Sequence, residues 1–167
     1  MLGLSASHAY LILLICVLPV CAWVCWSDLR SMRIPNRAVL TLVGIYAVVG
    51  VLVLPFEPWA WRWINLVVVL AIGFVLNAIA NFGAGDAKFA AAAAPFIAAS
   101  HSALVLPMFA AFLLGAFSAH RLLRAIPAIR RMTPDWVSWT RKDFPMGLAL
   151  AGTLVAYLAL GAFLPGA

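Results

Sequence analysis

Two carboxylates set the chemistry this chain can do, because it has so few. Only five acidic residues occur among 167: Asp28, Glu57, Asp86, Asp135 and Asp143. Asp86 lies in Asn81-Phe82-Gly83-Ala84-Gly85-Asp86-Ala87-Lys88, where a long apolar run is about to begin. Asp28 lies in Ser27-Asp28-Leu29-Arg30-Ser31-Met32-Arg33-Ile34-Pro35-Asn36, where the first apolar run ends. A carboxylate beside hydrocarbon is costly, so each is a candidate functional group rather than decoration. Gly83 and Gly85 free the backbone for an approach that a Cβ would block. Two carboxylates on one membrane face suggest an aspartyl hydrolase, one acid holding a proton while the other acts as base.

The elements that must hold these acids are membrane helices. Hydrophobic residues make up 66% of the chain and charged residues 10%, more apolar surface than a soluble domain of this length can bury. We read one all-α, polytopic membrane domain over residues 1–167. Residues 9–26, 38–54, 63–80 and 144–164 are each long enough to cross ~30 Å of hydrocarbon at ~1.5 Å per residue. No Lys or Arg precedes the first run, so it does not read as a secretory signal.

Residues 89–119 are uncharged throughout. As one helix they would measure ~46 Å, too long for one comfortable crossing. As a hairpin turning at Ser100-His101-Ser102 they make two, and charge decides between the two readings. With two crossings, ten basic residues share one face: Arg30, Arg33, Arg37, Lys88, Arg121, Arg124, Arg130, Arg131, Arg141 and Lys142. Of the eleven in the chain only Arg62 is left opposite. Basic residues accumulate on the cytoplasmic side. The expectation is therefore six transmembrane helices, with both termini outside the cytoplasm. The same parity puts Asp28 and Asp86 at one depth on the cytoplasmic side, whatever they do. It also accounts for the basic balance, which is no argument for nucleic-acid binding.

Simpler roles exist for each candidate. Asp28, beside Arg30, has the position of a solvated residue past a helix end, and Lys88 is placed to neutralise Asp86. Asn77 and Asn81 share a helix face leading to Asp86, suited to an interhelical hydrogen bond or to lining a cavity. Arg33 and Arg37 are placed to snorkel to headgroups or to touch substrate. Cys16, Cys21 and Cys25 lie in one helix without zinc-type spacing and read as apolar packing. His8 and His101 fall on the outer side and His120 at the inner boundary. Pro19, Pro95 and Pro107 fall inside spans, where neighbours must satisfy the carbonyls they free. Trp136 and Trp139 read as interfacial anchors.

Taken together, the motifs resemble the type IV prepilin peptidases, membrane aspartyl proteases of the Gly-x-Gly-Asp class. Asp28 followed after five residues by Ile34-Pro35-Asn36 is similar to the family's first motif. Gly83-Ala84-Gly85-Asp86-Ala87-Lys88 is similar to its second. Pro145-Met146-Gly147, with Ala149, is similar to a Pro-Tyr-Gly-x-Ala element opening the last helix, Met146 standing in place of the Tyr. The resemblance runs from Asp28 to about Gly152. It implies Asp28 and Asp86 as the catalytic pair. Gly83, Gly85, Lys88, Ile34, Pro35, Asn36, Asn81, Pro145 and Gly147 then shape the active site or meet substrate.

The resemblance also implies the substrate: a prepilin or pseudopilin whose short positive leader precedes an apolar helix. No cofactor or metal is expected. Long members carry a cysteine-bearing insertion after the first helix and also methylate the new N-terminus. Residues 27–37 are too short for that, which points to the short, peptidase-only branch serving tight-adherence (Flp) pili. Two other readings are weighed. A transporter or assembly scaffold would place its acids near the midplane and show paired broken helices or repeats, and neither is seen. Presenilin-like proteases share Gly-x-Gly-Asp but resemble a nine-helix architecture with Tyr-Asp, against Trp26-Ser27-Asp28 here.

Overall fold

The computed structural model describes residues 4–80 and 83–164, which contain helices and no strand. The first helix, α1, is Ala6–Ser31. Helix α2 is Asn36–Val53, with one π turn at Tyr46–Gly50, and α3 is Phe56–Ala80. Then come α4 (Ala84–Ala93), α5 (Ser102–Ala125), the short α6 (Pro127–Met132) and α7 (Gly147–Phe163). Four of them, α1, α2, α3 and the run Ala99–Ala125 that contains α5, are long and apolar enough to cross a membrane. Helix α7, at 17 residues, is shorter.

The uncharged stretch 89–119 is indeed not one helix, but the chain turns earlier than expected. Helix α4 has only 10 residues, ~15 Å. It tightens into a 3₁₀ turn at Ala94–Phe96, and a second follows at Ala99–His101. Pro95 is the cause: it has no N–H to donate and its ring clashes with the preceding turn. Ser102, expected in the turn, is the first residue of α5.

The backbone groups freed by this break find side-chain partners, as backbone at membrane depth must. Asn65 donates to the carbonyl of Ile97 at 2.9 Å, and Arg62 to that of Phe96 at 3.4 Å. Ala98 N–H donates to the Tyr157 hydroxyl at 3.2 Å, and that hydroxyl lies 2.8 Å from His101 Nδ1. At the same end Tyr46 and Trp59 clamp α2 to α3, each side chain donating to the other's carbonyl at 3.0 and 3.1 Å.

Packing centres on α1 against α7. The buried stripe Leu13, Val17, Val20, Cys21 and Val24 recurs at helical spacing and meets Ala151, Leu154 and Leu158 of α7. Helix α4 packs on α3, α2 and α7, and α5 on α7. Helices α1 and α4 are not an extensively packed pair, and α2 and α7 bridge them.

Candidate active site

Asp28 continues the buried stripe of α1 four residues beyond Val24, so the register that builds the core also buries this carboxylate. It is 5% exposed, which corrects the solvated-loop reading. Its Oδ2 accepts the N–H of Gly147 at 2.7 Å. Gly147 is the first residue of α7, whose N-terminal N–H groups have no partner within the helix and carry its positive dipole end. Asp28 therefore caps α7 from a different helix. A Cβ at Gly147 would lie 2.9 Å from Oδ2 and 3.1 Å from the Asp28 Cβ, so only glycine fits beneath the acid. Pro145, fully buried, fixes the chain as it enters this contact.

Helix α1 ends at Ser31 because Met32 takes a left-handed conformation (φ 53°, ψ 41°) and donates its N–H to the Asp28 carbonyl at 2.8 Å. The reversal is held by Ser27 Oγ donating to Arg33 O at 2.9 Å and by Ser31 Oγ donating to Ser27 O at 2.7 Å. Ile34 is buried and fastens the turn to the bundle, and Pro35 takes the position just before α2. Asn36 is exposed, and its Oδ1 accepts from Lys88 Nζ at 3.4 Å. Lys88 thus joins the two motifs and does not neutralise Asp86. Among the described residues the single ion pair is Arg141–Asp143, at 3.7 Å.

Asp86 is half-buried in the first turn of α4, where the helix dipole favours an acid. Its carboxyl turns back over Gly83, so a Cβ there would collide with it. Neither Gly83 (φ −56°, ψ 123°) nor helical Gly85 has a positive φ. The expected close approach is found at Gly83, whereas a Cβ at Gly85 would make only ordinary contact. A Cβ at Gly85 would stand 3.5 Å from the Ile34 Cβ, which brings the Gly-x-Gly-Asp turn against Ile-Pro-Asn. The two acids lie at one end of the bundle, where the turn after Asp28 meets the start of α4 through Ile34 with Gly85 and Asn36 with Lys88.

Asn81 lies outside the described residues. Cys25 Sγ sits 3.9 Å from the Gly147 carbonyl, and Cys21 is buried in the core. Among the described residues no group of three or more His, Cys, Asp or Glu is placed to hold a metal ion. His120 is buried, stacked on Trp139 at 5.1 Å between ring centres. What sequence reasoning missed is the role of Gly147. Its motif was visible, but that its N–H holds Asp28 was not, since 119 residues separate the two.

The fold and site define a polytopic helical membrane protein with two carboxyls at one end of its bundle. The model of the type IV leader peptidase family matches residues 11–120, and the chain belongs to that family. The match includes both acids and ends before Pro145 and Gly147, which the contact with Asp28 ties to it. No curated protein and no solved structure matches the chain.

Proposed function

We propose that this peptidase is of the aspartic type, and that it removes the leader of Flp-type prepilins at the cytoplasmic face of the bacterial inner membrane. The observation that carries the reading is the placement of Asp28 and Asp86 at one end of the bundle, where Gly85 meets Ile34 and Lys88 meets Asn36, in a chain of the leader peptidase family. Neighbouring carboxyls resist double ionisation, so the pair holds one proton between them. The ionised member takes a proton from water as it attacks the scissile carbonyl. The protonated member donates to the carbonyl oxygen; the base then passes the proton it took from water to the departing amine, and as the C–N bond breaks the gem-diol returns its proton, restoring the one-proton pair. The N–H of Gly147 holds the Asp28 carboxyl in place, and the proton belongs to the pair rather than to either acid.

The connection between α1 and α2 is four residues, Met32 to Pro35, which supports a peptidase without the methylating insertion. The ten-to-one partition of basic residues supports the cytoplasmic placement of the site, with both termini outside. Purified protein in detergent, incubated with a full-length Flp-type prepilin, tests the reading. Release of the leader, lost in both Asp28→Asn and Asp86→Asn, is expected. Cleavage that survives either substitution would refute the aspartic mechanism.

A further inference from the structure

The segment after α5 carries a second feature that peptide cleavage does not use. Pro127 ends α5 and opens α6, whose last turn holds Arg130 and Arg131. The chain then folds back through a 3₁₀ turn at Val137–Trp139. Between the two lies a cavity of about 420 Å³ lined by Pro127, Arg130, Arg131, Pro134, Trp139 and Thr140. Its wall is rigid. The Trp139 indole N–H donates to both the carbonyl and the hydroxyl of Thr133, at 3.1 and 3.0 Å, and the ring is stacked between Trp136 and His120.

The cations of this region sort into two sets. Arg121 and Arg124 are engaged in structure, donating to the carbonyls of Lys142 and Arg141 at 3.0 and 2.9 Å. Arg141 pairs with Asp143. Among the described residues the Arg130 side chain has no hydrogen bond or ion pair, and the Arg131 side chain has only a 3.4 Å bond from Nε to the Pro127 carbonyl. The Thr140 hydroxyl already donates to Val137 O, so Arg130 and Arg131 are the lining residues with side-chain donors to spare. Two uncompensated arginines around one concavity call for an anion, and a guanidinium fork suits phosphate.

We propose that this cavity binds the phosphate headgroup of an anionic phospholipid. Free phosphate shares that chemistry, but the surroundings favour the lipid. Ile126 and Met132, next in the chain to the lining residues Pro127 and Arg131, are 44% and 80% exposed, and Val137, in the turn with Trp139, is 38% exposed. Such a mixture of cations, tryptophans and exposed aliphatics belongs in the headgroup layer, where the rim meets the glycerol and upper acyl chain.

The test uses the whole purified protein in detergent. Short-chain phosphatidylglycerol, phosphatidylcholine and inorganic phosphate are titrated separately, reading thermal unfolding and lipid retained in native mass spectrometry. Phosphatidylglycerol is expected to be retained and to raise the unfolding midpoint, and phosphatidylcholine is not. Removing both cations in Arg130→Gln/Arg131→Gln should weaken retention roughly thirtyfold. Arg141→Gln/Lys142→Gln removes equal charge from the same loop outside the cavity lining and should leave it intact. An equal loss in both double variants, or none in the first, overturns the site. An equal shift from inorganic phosphate overturns the lipid. If Arg130→Gln/Arg131→Gln does not fold, wild-type retention that is insensitive to salt overturns the proposal instead.

Discussion

Gly147→Ala separates the placement of Asp28 from its presence. The added Cβ would stand 2.9 Å from Asp28 Oδ2, 3.1 Å from its Cβ and 3.2 Å from Val24 Cγ1. Relaxed contacts sit near ~3.5–4.0 Å, so something must yield by roughly 0.5–1 Å. The Val24 side is fully buried against α7, so the acid is what moves. The shift lengthens the 2.7 Å bond from the Gly147 N–H, and that loss lies where the pair does its chemistry. A misplacement of about 1 Å costs on the order of 10²-fold in rate. Stability should change much less. Overpacking costs ~1–3 kcal/mol, while alanine in place of glycine in a helix returns up to ~1 kcal/mol. The assay is cleavage of a full-length prepilin in micelles, with kcat and KM separated and thermal unfolding run in parallel. We expect kcat to fall about a hundredfold, with KM nearly unchanged and the protein folded. Wild-type kcat in a folded Gly147→Ala protein would refute the argument that this contact positions Asp28 for catalysis.

Asp28→Asn and Asp86→Asn should each lower cleavage by at least ~10²–10⁴-fold in purified membranes, whereas Asp135→Asn should leave it unchanged. Gly85→Ala should stay active, because its Cβ would meet Ile34 at an ordinary 3.5 Å, while the branched Gly85→Val should lose activity in the same assay. Met32→Gly should raise thermal stability by up to ~1 kcal/mol, since a non-glycine residue is strained by about that much at φ 53°. In a background with Cys16, Cys21 and Cys25 replaced, a membrane-impermeant thiol reagent should label Ser5→Cys but not Ala128→Cys from outside intact cells. The reverse pattern would invert the topology.

Sequence alone determined the class, the two acids and their common end. Apolar runs, helix punctuation and charge sidedness are local properties, written in consecutive residues and readable by length and period. The spacing that buries Leu13, Val17 and Val24 could have shown that Asp28 is buried too, because it occupies the next place on that stripe. Tertiary structure decided which groups the acids meet. That the N–H of Gly147 holds Asp28, that Lys88 reaches Asn36 and not Asp86, and that Gly83 lies under the Asp86 carboxyl all depend on how helices sit side by side. The early break at Pro95 likewise needed Arg62, Asn65 and Tyr157 from other helices to take up its backbone groups. Contacts across such distances leave no period in the chain. They follow from shape and hydrogen-bond satisfaction between surfaces that meet only once the bundle has formed.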